Sequence, residues 1–89
     1  MSRVTQKQLE SLVDRLNEVT NSPRSYFNEE TRKINIGHYC LDYAYGGVAL
    51  EKTVNEGGAV CVIIGRGTKR ELYDRLHALL DGIRIAKEV

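Results

Sequence analysis

Tyr39-Cys40-Leu41-Asp42-Tyr43-Ala44-Tyr45-Gly46-Gly47-Val48-Ala49-Leu50-Glu51-Lys52-Thr53-Val54 is the stretch that decides the fold. Its side chains alternate with a period of two, as on a strand, where successive residues point to opposite faces. Tyr39, Leu41 and Tyr43 share one face, and His38, Cys40 and Asp42 share the other. Tyr45-Gly46-Gly47 then reads as a turn, because glycine accepts the positive φ that tight hairpins demand. Beyond it Val48, Leu50, Lys52 and Val54 alternate with Ala49, Glu51 and Thr53. The pattern is a β-hairpin, and alternation alone leaves open which of its faces is buried.

Downstream, Asn55-Glu56-Gly57-Gly58 is a second turn. The run from Ala59 to Ile64 is continuously apolar and β-branched. It predicts the most buried strand, at the centre of the sheet or pressed under helices. Upstream, Arg24 to Lys33 is polar apart from Tyr26 and Phe27, with a turn at Asn28-Glu29-Glu30-Thr31. The short runs flanking that turn are positioned to pair as a small hairpin.

Helices flank the strands. Thr5 and Gln8 form a capping box, followed at helical spacing by Leu9, Leu12, Val13, Leu16 and Val19. Pro23 ends this helix. Thr68 and Glu71 form a second box, and Leu72, Tyr73, Leu76, Leu79, Leu80 and Ile83 make the apolar stripe that follows. Gly82 weakens this helix, which either ends there or frays onward to Lys87. The expectation is one α+β domain over residues 1–89, in the order α-β-β-β-α. A three-stranded antiparallel meander carries both helices on one face.

The sharpest functional hint precedes the second helix. Within Gly65-Arg66-Gly67-Thr68-Lys69-Arg70, the five residues from Arg66 to Arg70 hold three cations and no acid. A helix start exposes unpaired N–H groups and the positive end of the dipole. Glycines let an anion approach the backbone, so Gly65, Arg66, Gly67, Thr68, Lys69 and Arg70 are candidate anion ligands. The plainer alternative is an ordinary helix start with a solvated basic turn. The glycine turns also leave room for a planar ligand, with Asn55 to hydrogen-bond it. Five tyrosines and no tryptophan make Tyr39, Tyr43 and Tyr45, all on one hairpin, candidates for stacking or for an interface.

Other chemistry is poorly supplied. Thirteen basic residues against twelve acidic ones leave a net charge of +1, so attraction for phosphate is local and not global. No apolar run approaches the length of a membrane span. Cys40 and Cys61 lie in apolar runs and read as buried free thiols, without a disulfide framework. His38, Cys40, Cys61 and His77 match no zinc spacing, so no metal and no cofactor is expected. Both histidines read as partly exposed. Asp42 has no partner nearby in sequence, and no triad of catalytic residues assembles, so the chain reads as a non-enzyme. A domain this short buries only about 60–65% of its unfolded surface, which favours association with further copies.

Two resemblances follow from these residues. The helix–three strands–helix order resembles the double-stranded-RNA-binding domain, and Gly65 to Arg70 stands where that family grips phosphates. That likeness implies phosphate contacts at Lys69 and Arg70. The chain departs from the family in Leu72-Tyr73, in Leu79-Leu80 and in its near-neutral charge. Secondly, the residues Asn35-Ile36-Gly37, Leu41 to Gly47, Asn55 to Gly58 and Arg66 to Tyr73 resemble small accessory proteins of tailed bacteriophages, over about residues 9–83. This resemblance implies the cytoplasm of an infected bacterium and an anti-defence or host-takeover role exerted by binding. The first expectation is therefore a homo-oligomeric binder of a nucleotide or another anionic ligand. The alternative is an inhibitor that grips a host protein through a tyrosine-bearing sheet face.

Overall fold

The computed structural model describes residues 3–88. The chain forms α1 (Gln6–Val19), β1 (Phe27–Asn28), β2 (Lys33–Ile34), β3 (Tyr39–Ala44), β4 (Gly47–Thr53), β5 (Val60–Gly67) and α2 (Lys69–Glu88). Strands β3, β4 and β5 form an antiparallel meander with β4 in the middle, and β1 pairs with β2 as a separate small hairpin. This is the expected α+β fold, and the short runs flanking the Asn28–Thr31 turn pair as the small hairpin also expected. The body is a slab of 44 × 39 × 19 Å, two layers deep.

The local signals at the helix starts act as read. Gln8 N–H donates to Thr5 Oγ1 at 3.2 Å, while Thr5 N–H donates to Gln8 Oε1 at 2.8 Å. Thr68 and Glu71 do the same for α2, each bond being 3.1 Å. Gly82 does not end α2, which runs on to Glu88. Tertiary contact along the stripe overrides one poor helix former.

One cluster forms the core. Leu9, Val13 and Leu16 of α1, Val48 and Leu50 of β4, and Leu72 and Leu76 of α2 are all buried in it, together with Val4. Val48 and Leu50 are two residues apart and so share a face, which puts both helices on that face. Tyr39 and Leu41 pack against the same cluster, which answers the face question for β3. Each fully buried leucine here contributes about 1.5–3 kcal/mol by leaving water.

A buried polar residue docks α1. Asn17, only 1% exposed, donates through Nδ2 to the carbonyl of Tyr39 at 3.1 Å and accepts the Tyr39 N–H at 2.9 Å. Its amide stands in for a neighbouring strand along the outer edge of β3.

The reading of Ala59–Ile64 as the most buried strand is corrected. Strand β4 holds the centre, and β5 is an edge strand with Val60, Val62 and Ile63 exposed. The apolar run is uncovered because α2 leaves β5 at Gly67 and buries Leu72 and Leu76 near that end. Cys61 is correspondingly exposed, and only Cys40 is partly buried. His38, read as partly exposed, is buried, with Nδ1 2.7 Å from the carbonyl of Pro23.

Replacing Asn17 by Ala strands a buried N–H and C=O on β3, and is expected to cost about 1–3 kcal/mol. Urea unfolding of Asn17→Ala against the parent chain measures it. A loss within error would show that the Asn17 bonds add nothing to α1 docking.

Candidate functional site

The tip of the β3–β4 hairpin and the start of α2 are neighbours, and they bring several of the candidate residues to one end of the slab. Gly47 pairs with Ala44 in the register, and Val48 pairs with both Tyr43 and Gly67. Tyr45 and Gly46 make the two-residue turn, with φ of 53° and 73°. Positive φ at both positions is what a type I′ turn requires. Glycine suits it, whereas tyrosine is costly there. Gly47 has no alternative, since a Cβ on it would lie 2.9 Å from the carbonyl oxygen of Gly67.

Tyr45 is 97% exposed. The Arg66 guanidinium stands 5.9 Å from its ring centroid. Arg66 belongs to β5 but reaches across β4 to β3. It ion-pairs with the Asp42 carboxylate, and its Nη1 donates to the carbonyls of Asp42 at 3.0 Å and Ala44 at 3.3 Å. Ala49 faces Asp42 in the register and is buried. Asp42, which seemed partnerless along the chain, thus has a partner 24 residues away. The β-bulge between Val48 and Leu50 in the β4–β5 register is where Arg66 sits, and bulges re-aim side chains in this way.

At the head of α2 the cations diverge. Arg66 is drawn away to Asp42. Arg70 lies 5.5 Å from the ring of Tyr73, and its Nη1 is 3.9 Å from Asp74 Oδ1. Lys69 is exposed and borders a shallow hollow of about 400 Å³ with Tyr43, Ala44, Gly46, Gly47 and Val48. The helix-start amides meet the chain's own acid: Glu71 accepts the Thr68 N–H, and a Cβ on Gly67 would lie 3.4 Å from the Glu71 carboxylate. Those bonds from Thr68, and then the charge of Arg75, hold the Glu71 carboxyl below its ordinary pKa. A carboxylate therefore already occupies part of the space that an external anion would use. Gly65 is open to solvent on β5, with no atom near the place a Cβ would take.

The other candidates lie apart from this end. Tyr39 packs on the core with the Lys52 ammonium 5.2 Å from its ring. Asn55 serves its own turn, its Oδ1 accepting N–H bonds from Gly57 at 2.9 Å and Ala59 at 3.1 Å. Burial, then the charges of Glu51 and Asp42, raise the Cys40 thiol above its ordinary pKa, which makes it a poor nucleophile at neutral pH. Burial, then the charge of Glu10 on α1, raise the Tyr43 phenol in the same way. Among the described residues no three His, Cys, Asp or Glu side chains gather as a metal site. No helix among them is long and apolar enough to cross a membrane.

A larger cleft, of about 470 Å³, lies between the far ends of α1 and α2, lined by Leu12, Val19, Leu80 and Ile83 with Arg15 and Arg84 among its polar residues. It was illegible in sequence because its two walls are more than sixty residues apart. No protein-family model, no curated protein and no solved structure matches the chain.

The depressed Glu71 pKa gives a signed prediction. The cap favours the charged form in the folded state, so its contribution is full above the ordinary carboxylate pKa and is lost as pH falls through the lowered value. Glu71→Gln keeps a capping-box side chain but removes that titration. Thermal unfolding from pH 7 to pH 3 is expected to fall less steeply for Glu71→Gln than for the parent. Parallel curves would show that the carboxylate gains nothing from the cap.

Proposed function

We propose that this chain is a non-catalytic binding protein whose contact surface is the β3–β4 hairpin tip, gripping another protein through Tyr45 and Arg66, with Tyr43 on the helix-bearing side of the same hairpin. The observation that carries this reading is Tyr45 itself: a bulky ring wholly in solvent, on a residue at φ 53° where glycine or asparagine would be easier. A residue kept in a costly conformation without a packing role points to use by a partner. Tyrosine and arginine are also the residue types that dominate binding hot spots. Arg66 is preorganised by its bonds to β3, so it loses little freedom on contact. In the setting implied by the phage resemblance, the partner is a host protein and the effect is inhibition.

Tyr45→Asn separates this reading from a structural role. Asparagine tolerates the left-handed region, so the variant is expected to be more stable by about 0.5–1 kcal/mol. It is also expected to lose its partner in pull-downs from bacterial lysate. Capture of the same protein by Tyr45→Asn, Tyr43→Ala and parent chains alike would overturn the proposal.

One observation favours a second reading, the binding of an anionic ligand that carries a ring. Tyr43 and Lys69 line the same hollow as Gly46 and Gly47, so a base and a phosphate each have a side chain to meet. Calorimetry with nucleotides tests it. Lys69→Glu is expected to weaken binding at least tenfold, and an unchanged affinity removes this reading.

A further inference from the structure

The two free edges of the sheet are treated differently. The outer edge of β3 is closed at Tyr39 by the Asn17 amide, which bonds both the N–H and the carbonyl. Among the described residues no other element hydrogen-bonds to the outer edge of β5 from Val60 to Val62. Val54 N–H donates to Ala59 O at 2.9 Å, and the ladder then pairs Thr53 with Val60, Lys52 with Cys61 and Glu51 with Val62. Backbone groups on an antiparallel strand point alternately to either side. Ala59 and Cys61 therefore turn theirs toward β4, while Val60 and Val62 turn theirs outward. Thr53 N–H donates to His38 O at 3.0 Å on the β3 side, the parity that this alternation requires.

Natural edge strands are usually protected by charge, proline or a cover. Between Gly57 and Gly65 there is no charged residue and no proline. Val62 is 57% exposed, and Val60 and Ile63 are 41% exposed. The strand is apolar on both faces, and the backbone groups that no other strand pairs lie in the middle of that run.

We propose that β5 pairs antiparallel with β5 of a second copy, about a two-fold axis perpendicular to the sheet at Cys61, giving one continuous six-stranded sheet with all four helices on the same side. The backbone sets this register. Val60 lies opposite the second copy's Val62, and each of the two such pairs exchanges both N–H···O bonds, the Val62 carbonyl giving up its 3.8 Å contact with the Cys61 thiol. Cys61 lies opposite the second copy's Cys61 as a non-hydrogen-bonded pair, with Cα atoms about 4.5 Å apart. A shift of two residues would instead need Ile64, whose place in the ladder is disturbed by the bulge between Leu50 and Glu51.

Self-complementarity favours a second copy as the occupant. The outward groups of Val60 and Val62 are symmetric about Cys61, and the uncharged run from Gly57 to Gly65 sets no like charges against each other across the axis. This surface is separate from the hairpin-tip residue Tyr45, so either proposal can fail alone.

Light scattering at tens of micromolar chain tests it. The parent is expected at twice the 10.1 kDa chain mass. Val62→Lys, a change at an exposed position, is expected at the single-chain mass with an unchanged circular dichroism spectrum. A short bis-maleimide is expected to link the parent and Cys40→Ser into dimers, but not Cys61→Ser, and to lose its yield in Val62→Lys. A parent of single-chain mass would overturn the proposal. So would a dimer that survives Val62→Lys, or cross-linking that depends on Cys40.

Discussion

The amide of Asn17, bonded in both directions to the backbone of Tyr39, sets where α1 lies, and much of the molecule follows from that placement. With α1 held over β3, its leucines meet Val48 and Leu50 on the central strand. Only the rest of that face is left for α2. The second helix enters directly from β5 and spends Leu72 and Leu76 on the shared core near its own start. Two helices on three strands therefore cover β3, β4 and the Ile64 end of β5, and leave Val60 to Ile63 uncovered. The same bonds that seal one side of the sheet leave the other bare, and in this sense the exposed strand is a consequence of the helix docking.

What was legible in the chain was short in range. The Thr5–Gln8 and Thr68–Glu71 caps need only a three-residue spacing, and both helices begin where those residues place them. The strand alternation from Tyr39 to Val54 and the glycine turns also act locally, and they carried the α+β architecture. The β5 strand was misread because an unbroken apolar run looks the same whether it is buried on two sides or uncovered on two sides. Only the supply of helix surface distinguishes them, and that is a property of the whole fold. Arg66 was read with Lys69 and Arg70 because they are neighbours in sequence. Asp42, 24 residues earlier, pulls it to the opposite side of β4. Asn55 looks available to a ligand because nothing in the sequence says that its oxygen already holds the Gly57 and Ala59 amides.

The candidate site changes character for the same reason. A row of cations before a helix suggests a pocket for negative charge, but three-dimensional pairing separates them and lets Glu71 fill part of the space. What remains at that end of the slab is a rigid hairpin tip that carries a solvent-facing ring beside an immobilised guanidinium. Such a surface suits the recognition of another macromolecule better than catalysis. The unsealed strand at the neighbouring edge suits symmetric self-association. Together they fit the proposed reading of a small domain that works by contact. A core of this size is modest, and pairing along an open edge would add stability without a larger chain.

The central claim is the inequality of the two sheet edges, and amide hydrogen exchange resolved by residue tests it most directly. At dilution, where chains are separate, the Tyr39 N–H should be protected by Asn17, while those of Val60 and Val62 exchange quickly. At high concentration the two valine amides should gain protection while Tyr39 stays unchanged. Equal exchange at Tyr39 and Val62 in the dilute chain, or valine protection independent of concentration, would contradict it.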